Sequence, residues 1–131
     1  MGHRTPLYDR HVAAGARMVD FAGYDMPLQY SGIRDEHIAV RQRAGVFDVS
    51  HMGEVTVSGP SAADFVQRLV TNDVSRLVRN QLLYSVMCNE SGGIVDDVIV
   101  MRGAEDNQFV IVVNASTREK DVVWIREHSG P

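Results

Sequence analysis

The sequence is short of most features that assign a protein quickly. Cys88 is its one cysteine, so no intramolecular disulfide can form and a reducing compartment is expected. Basic residues are outnumbered 17 to 13, the formal net charge is −4, and nothing offers the basic face that a nucleic-acid backbone requires. No run approaches the ~20 apolar residues of a membrane span, and the opening MGHRTPLYDRHVAAG lacks the apolar stretch of a secretory leader. A cytoplasmic location is therefore expected, or the mitochondrial matrix in a eukaryote, although no transit peptide is evident. The Asn-x-Ser triplets at Asn89 and Asn114 are read as chance matches.

Other chemistry is missing too. His3, His11, His37, His51 and His128 show no metal-ligand spacing with one another or with Cys88, so no metal is expected. There is no Gly-rich phosphate loop; Gly92-Gly93 reads better as a hairpin turn. No serine or cysteine stands in a nucleophile setting. Internal repeats and low-complexity segments are absent as well.

What is present suffices for a real core: 44% of the 131 residues are hydrophobic and 23% charged. Thr5-Pro6 predicts a helix start, with Thr5 as cap and the helix running to Ala14 before Gly15. RMVDFAGYDMPLQY, residues 17–30, lacks helical period and predicts a short strand followed by an irregular, buried segment. IRDEHIAVRQRA then predicts a helix whose apolar stripe is Ile33, Val40 and Ala44. His37 falls on that stripe and is read first as a core-boundary residue, not a ligand. VFDVSHMGEVTVSG predicts strands on both sides of His51-Met52-Gly53.

The next helix is the clearest. Ala62, Phe65, Val66, Leu69 and Val70 recur at helical spacing and define a core-facing stripe. Strands are predicted over 82–89, 94–102 and 108–114, separated by the turns ESGG and GAEDN. Ser116-x-x-Glu119 predicts a capping box ahead of the helix REKDVVWIREH. From Glu54 the order is β-α-β-β-β-α, an α+β layout with an antiparallel sheet and packed helices. The first fifty residues have no obvious sheet of their own, and the last helix has no following element. Both points lead us to expect a chain that continues, or needs a partner, to complete its fold.

The segment NESGGIVDDVIV carries the main candidate for chemistry. Alternation puts Ile94, Asp96, Val98 and Val100 on one face and Val95, Asp97, Ile99 and Met101 on the other. Both faces are apolar, which predicts a central strand covered on both sides. The aspartates then point in opposite directions and form no dyad of the glycosidase or aspartic-protease kind. One of them is free to face a pocket while the other is structural; the pattern does not say which. Tyr84, on the strand before, is a plausible neighbour across the hairpin.

Several long motifs are distinctive together: TPLYDRHVAAGARMVDFAGYDMPLQY, FDVSHMGEV, YSVMCNESGGIVDDVIV, and NAS followed by KDVVWI. In order and spacing they resemble the N-terminal part of the glycine cleavage system T-protein family, the aminomethyltransferases. The resemblance implies a folate-dependent enzyme that takes the aminomethyl group from the lipoyl arm of H-protein and passes it to tetrahydrofolate. The products are 5,10-methylenetetrahydrofolate, ammonia and the dihydrolipoyl carrier. It implies that Asp97 is the catalytic carboxylate beside the reacting amines and that Asp96 is structural. Tyr84 is implied to contact the folate, and Met52, Ile99, Met101, Val112 and Asn114 to line the pterin pocket. Members of the family are much longer. On that ground residues 1–52 are expected to be an incomplete piece of a discontinuous folate-binding domain. Residues 53–131 are expected to hold most of a second, ferredoxin-like domain. The alternatives are a folate-binding relative without this catalysis, of the iron–sulfur or tRNA-modification type, or a fragment inactive alone. Oligomeric state is not legible.

Overall fold

The computed structural model describes residues 2–129. The chain forms two compact units, Met1–His51 and Met52–Pro131.

The first unit contains β1 (His3–Arg4), α1 (Tyr8–Ala13), β2 (Arg17–Phe21), β3 (Tyr24–Gln29) and α2 (Ile33–Gln42). Contrary to expectation it has its own sheet, in the order β1-β3-β2. β2 and β3 form a hairpin in which Phe21 pairs with Tyr24. The two turn residues, Ala22 and Gly23, both have positive φ (54° and 79°), the handedness that matches strand twist. Nor is the segment buried: Met26 is the one buried hydrophobic residue among the described residues of this unit. Pro27 sits at the register shift opposite Arg17 and Met18, where a strand tolerates a missing N–H.

Two further expectations fail here for one reason. Thr5 does not cap α1, which begins at Tyr8. Its hydroxyl donates instead to Asp48 Oδ2 at 2.7 Å. Asp48 also meets His11 Nε2 at 2.9 Å and accepts from the Ser50 N–H at 2.9 Å, while His11 Nδ1 lies 2.7 Å from the Tyr30 hydroxyl. Burial alone raises a carboxyl pKa, but the hydrogen bonds from His11, Thr5 and Ser50 outweigh it and hold Asp48 well below the usual range. Held by this node, residues 44–49 form no strand. The stripe on α2 is not a core stripe either: Ile33 and Val40 are 59% and 43% exposed.

The second unit contains β4 (Gly53–Ser58), α3 (Ala62–Leu69), a 3₁₀ turn (Val74–Arg76), β5 (Leu82–Cys88), β6 (Ile94–Arg102), β7 (Gln108–Val113) and α4 (Arg118–Glu127). This is the order β-α-β-β-β-α read from the sequence. A ferredoxin-like plan would place a helix between the third and fourth strands, where this chain has the turn 103–107. The sheet runs β4-β7-β6-β5 and is antiparallel throughout. All five stripe residues of the third helix, Ala62, Phe65, Val66, Leu69 and Val70, are buried, against Met87, Val98, Val100, Phe109, Ile111 and Val113. The expected cover on both faces of β6 is not found. Val98 and Val100 are buried, but on the other face Ile99 is 36% exposed, and Leu82 and Tyr84 beside it are each 61% exposed. The capping box at Ser116 is also absent: α4 starts at Arg118, and Thr117 precedes it without a capping bond.

Gly53 is explained by close approach. A Cβ there would lie 2.7 Å from both Val113 Cγ2 and Arg118 Cγ. Among the described residues no helix is long and apolar enough to cross a membrane.

Truncating the fully buried Ile111 to alanine should cost about 2–5 kcal/mol in a urea melt. Val46→Ala, at a fully exposed position, should change the same measurement by less than ~0.5 kcal/mol. Equal effects would place the core elsewhere.

Candidate active site

The register of the sheet gathers most of the candidate residues on its open face. Ile99 pairs with Tyr84 on one side and Val112 on the other; Asp97 pairs with Val86, and Met101 with Leu82 and Val110. Since strand side chains alternate, Tyr84, Asp97, Ile99, Met101 and Val112 share that face, and Asn114 continues it just past the end of β7. Met52 directly precedes β4, whose first residue pairs with Val113, so it stands at the Asn114 end of the sheet.

Asp96 turns to the opposite side. Its Oδ2 accepts a short hydrogen bond from the Thr117 hydroxyl, and its Oδ1 accepts from the Asp97 N–H at 2.9 Å. Asn114 joins the two aspartates. Its Nδ2 donates to Asp96 Oδ1 at 3.1 Å, to the Asp97 carbonyl at 3.2 Å and to Asp97 Oδ1 at 3.3 Å. Burial pushes the Asp96 carboxyl up, and the donors around it, Thr117 first, bring it below its ordinary value. It is an ionised, filled carboxylate.

Asp97 has fewer partners and remains half-buried beside an exposed aromatic. Tyr84 lies across the hairpin on the same face, and its phenol is pushed above its usual range by desolvation first and then by the negative charge of Asp97 and Asp96. The face therefore presents one carboxylate, one phenol and the Asn114 amide in an apolar surround of Leu82, Val86, Ile99, Met101, Val110 and Val112. Such an arrangement suits a flat, mostly apolar ligand bearing an amine. Among the described residues no group of three or more His, Cys, Asp or Glu is placed to hold a metal.

Two residues of this network were missed in the sequence, Thr117 and Asp121. Asp121 is fully buried on α4. Its signal was the i, i+4 spacing to Ile125, which puts both on the inward face of the helix.

Comparison with known proteins decides the family. A model of the GCVT N-terminal domain matches residues 7–130. The chain belongs to the GCVT N-terminal domain family. Aminomethyltransferase of Desulforamulus reducens is 59% identical over 98% of this chain and 35% of its own length. That of Rubrobacter xylanophilus is 60% identical over 96% of this chain and 33% of its own. A crystal structure of glycine cleavage system aminomethyltransferase T from Bartonella henselae superposes with a TM-score of 0.90 at 38% identity, over 98% of this chain and 36% of that one. This GCVT-family chain thus spans about a third of the length of the curated relatives it matches.

Because Asp97 charge helps to raise Tyr84, Asp97→Asn should return Tyr84 ionisation toward the ordinary value of about 10. Phenolate absorbance during a pH titration measures this, with Tyr84→Phe identifying the transition. An unmoved Tyr84 transition would mean that the two groups do not interact.

Proposed function

We propose that this chain carries the pterin-side half of a tetrahydrofolate site and that the protein to which it belongs performs aminomethyl transfer. The observation that carries the reading is the convergence of Asp97, Tyr84 and Asn114 on one apolar sheet face, in a family member 38–60% identical to aminomethyltransferases. The donor would be the aminomethyl group on the lipoyl arm of H-protein. Folate would be the acceptor substrate, and 5,10-methylenetetrahydrofolate, ammonia and the dihydrolipoyl carrier the products.

Each side chain has a role that its environment suits. Asp97 orients the folate amine for attack on the aminomethyl carbon and stabilises the cationic, iminium-like species formed as ammonia departs. Tyr84, on the same face as Asp97, offers its ring to the ligand. Ile99, Met101 and Val112 form the apolar wall, with Met52 at the end of the sheet. The NH2 of Asn114 is engaged by the two aspartates, so its amide oxygen is the group that accepts from the pterin edge. In this reading the first unit is one portion of a discontinuous folate-binding domain.

A thermal melt of the chain with increasing reduced tetrahydrofolate tests the proposal. A ligand present at a hundred times its dissociation constant stabilises the native state by about 2.7 kcal/mol. The expected result is a rise in Tm for the wild type that shrinks for Asp97→Asn, whose unliganded melt stays close to wild type. An equal rise in both would remove Asp97 from the site.

A further inference from the structure

Asp121 has no place in the roles assigned so far. Its side chain is 0% exposed, yet neither carboxyl oxygen has a hydrogen-bond donor. Lys120 Nζ comes only to 3.8 Å of Oδ1 and gives its hydrogen bond to the Val95 carbonyl instead, at 2.5 Å. A buried carboxylate in that state is costly. Its polar neighbours are Asp96 and Thr117. Thr117 donates to Asp96, so it supplies nothing to Asp121.

A single proton resolves the arrangement. As a carboxylic acid, Asp121 donates to Asp96, which accepts. Carboxyl groups that share a site commonly hold one proton between them. Burial first, and the adjacent Asp96 second, push Asp121 up to about 6, while Asp96 lies below its ordinary value. The groups facing the pair are Lys120 on α4, Asp97 on β6 and Tyr84 on β5; β7 contributes only the uncharged Asn114.

We infer that Asp121 and Thr117 are positioning residues: they fix Asp96, Asp96 fixes the Asn114 amide, and that amide holds the Asp97 carboxylate toward the ligand. The inference rests on the reading of Asp97 as the ligand-facing group. Asp96 Oδ2 takes the Thr117 hydroxyl, Oδ1 takes the Asn114 amide and the Asp97 N–H, and the Asp121 acid lies against the same carboxyl. Removing the Thr117 and Asp121 donors frees Asp96 to rotate and to draw Asn114 away from Asp97. Loss of the Asp121 proton does the same through repulsion, so the arrangement tightens below about pH 6 and loosens above it.

The side-chain amide of Asn114, followed by NMR in the 131-residue chain, reports this without any ligand. In wild type its resonances should step as pH crosses about 6. Asp121→Asn carries a fixed donor and should abolish the step. Thr117→Val should shift the same resonances while leaving α4 folded. At pH 5.5 Asp121→Leu should weaken tetrahydrofolate binding about tenfold, the size of one lost hydrogen bond to a charged group, and Asp121→Asn should recover most of the loss. A step that persists unchanged in Asp121→Asn would overturn the inference. An intact step with no folate binding in any variant would count against the folate reading alone.

Discussion

Strand alternation forces Asp96 and Asp97 apart, and the layout of the second unit depends on how that separation is accommodated. On a central strand two adjacent carboxylates cannot share a face. One goes to the open face, and the other goes beneath α4, where water is scarce and donors must come from protein. Three segments converge to supply them: the backbone of β6, Asn114 after β7, and Thr117 before α4. Magnitudes explain why Thr117 serves Asp96 and not its own helix. A missing N-cap costs about 1 kcal/mol, whereas a hydrogen bond to a charged group, such as the half-buried Asp96, contributes about 1.5–3 kcal/mol. The N-cap position of α4, Thr117, thus carries no capping bond because its hydroxyl is given to Asp96.

The same competition governs the first unit. With Met26 as its single buried hydrophobic residue among those described, apolar burial contributes little there. The Thr5–Asp48–His11–Tyr30 node takes over the work of a core, joining residues far apart in the chain through hydrogen bonds at 2.7–2.9 Å. A net gain of about 1 kcal/mol per hydrogen bond, more where one partner is charged, makes such a node worth several buried methylenes. It also explains why α2 can leave its apolar side exposed without the unit losing its internal order.

What was legible in the sequence followed from period and burial together. The stripe of α3 and the extents of the three strands β5, β6 and β7 carry both and agree with the structure to within a residue, while the cover expected on both faces of β6 does not. Elements that failed were those held by side chains distant in sequence. Thr5 looks like a cap locally, and Ser116 reads as one where Thr117 is the N-cap residue; the hydroxyls of Thr5 and Thr117 serve carboxylates 43 and 21 residues away. The β2–β3 hairpin escaped notice because Ala22 takes a positive φ that its residue type does not announce, and because a thin sheet with little burial shows no alternation. At the site, alternation separated Asp96 from Asp97 and placed Tyr84 nearby. Asp121 stayed hidden because an acidic residue at helical spacing is ordinarily solvated.

The open face of the sheet raises a question of dielectric. A carboxylate in water attracts a cation 4 Å away by about 1 kcal/mol, and by about 4 kcal/mol at the effective dielectric of a protein boundary. Asp97 lies between these limits. Its surround is apolar, but Ile99, Tyr84 and Leu82 are 36%, 61% and 61% exposed, so water still reaches it. Desolvation first, and then the negative charge of Asp97, push the Tyr84 phenol up. A flat ligand laid over those side chains would displace the water, and in doing so would strengthen the attraction that Asp97 exerts on the ligand's own amine. At the proposed site apolar contact and electrostatic stabilisation would therefore be coupled: a bound ligand would supply the cover that makes the carboxylate effective.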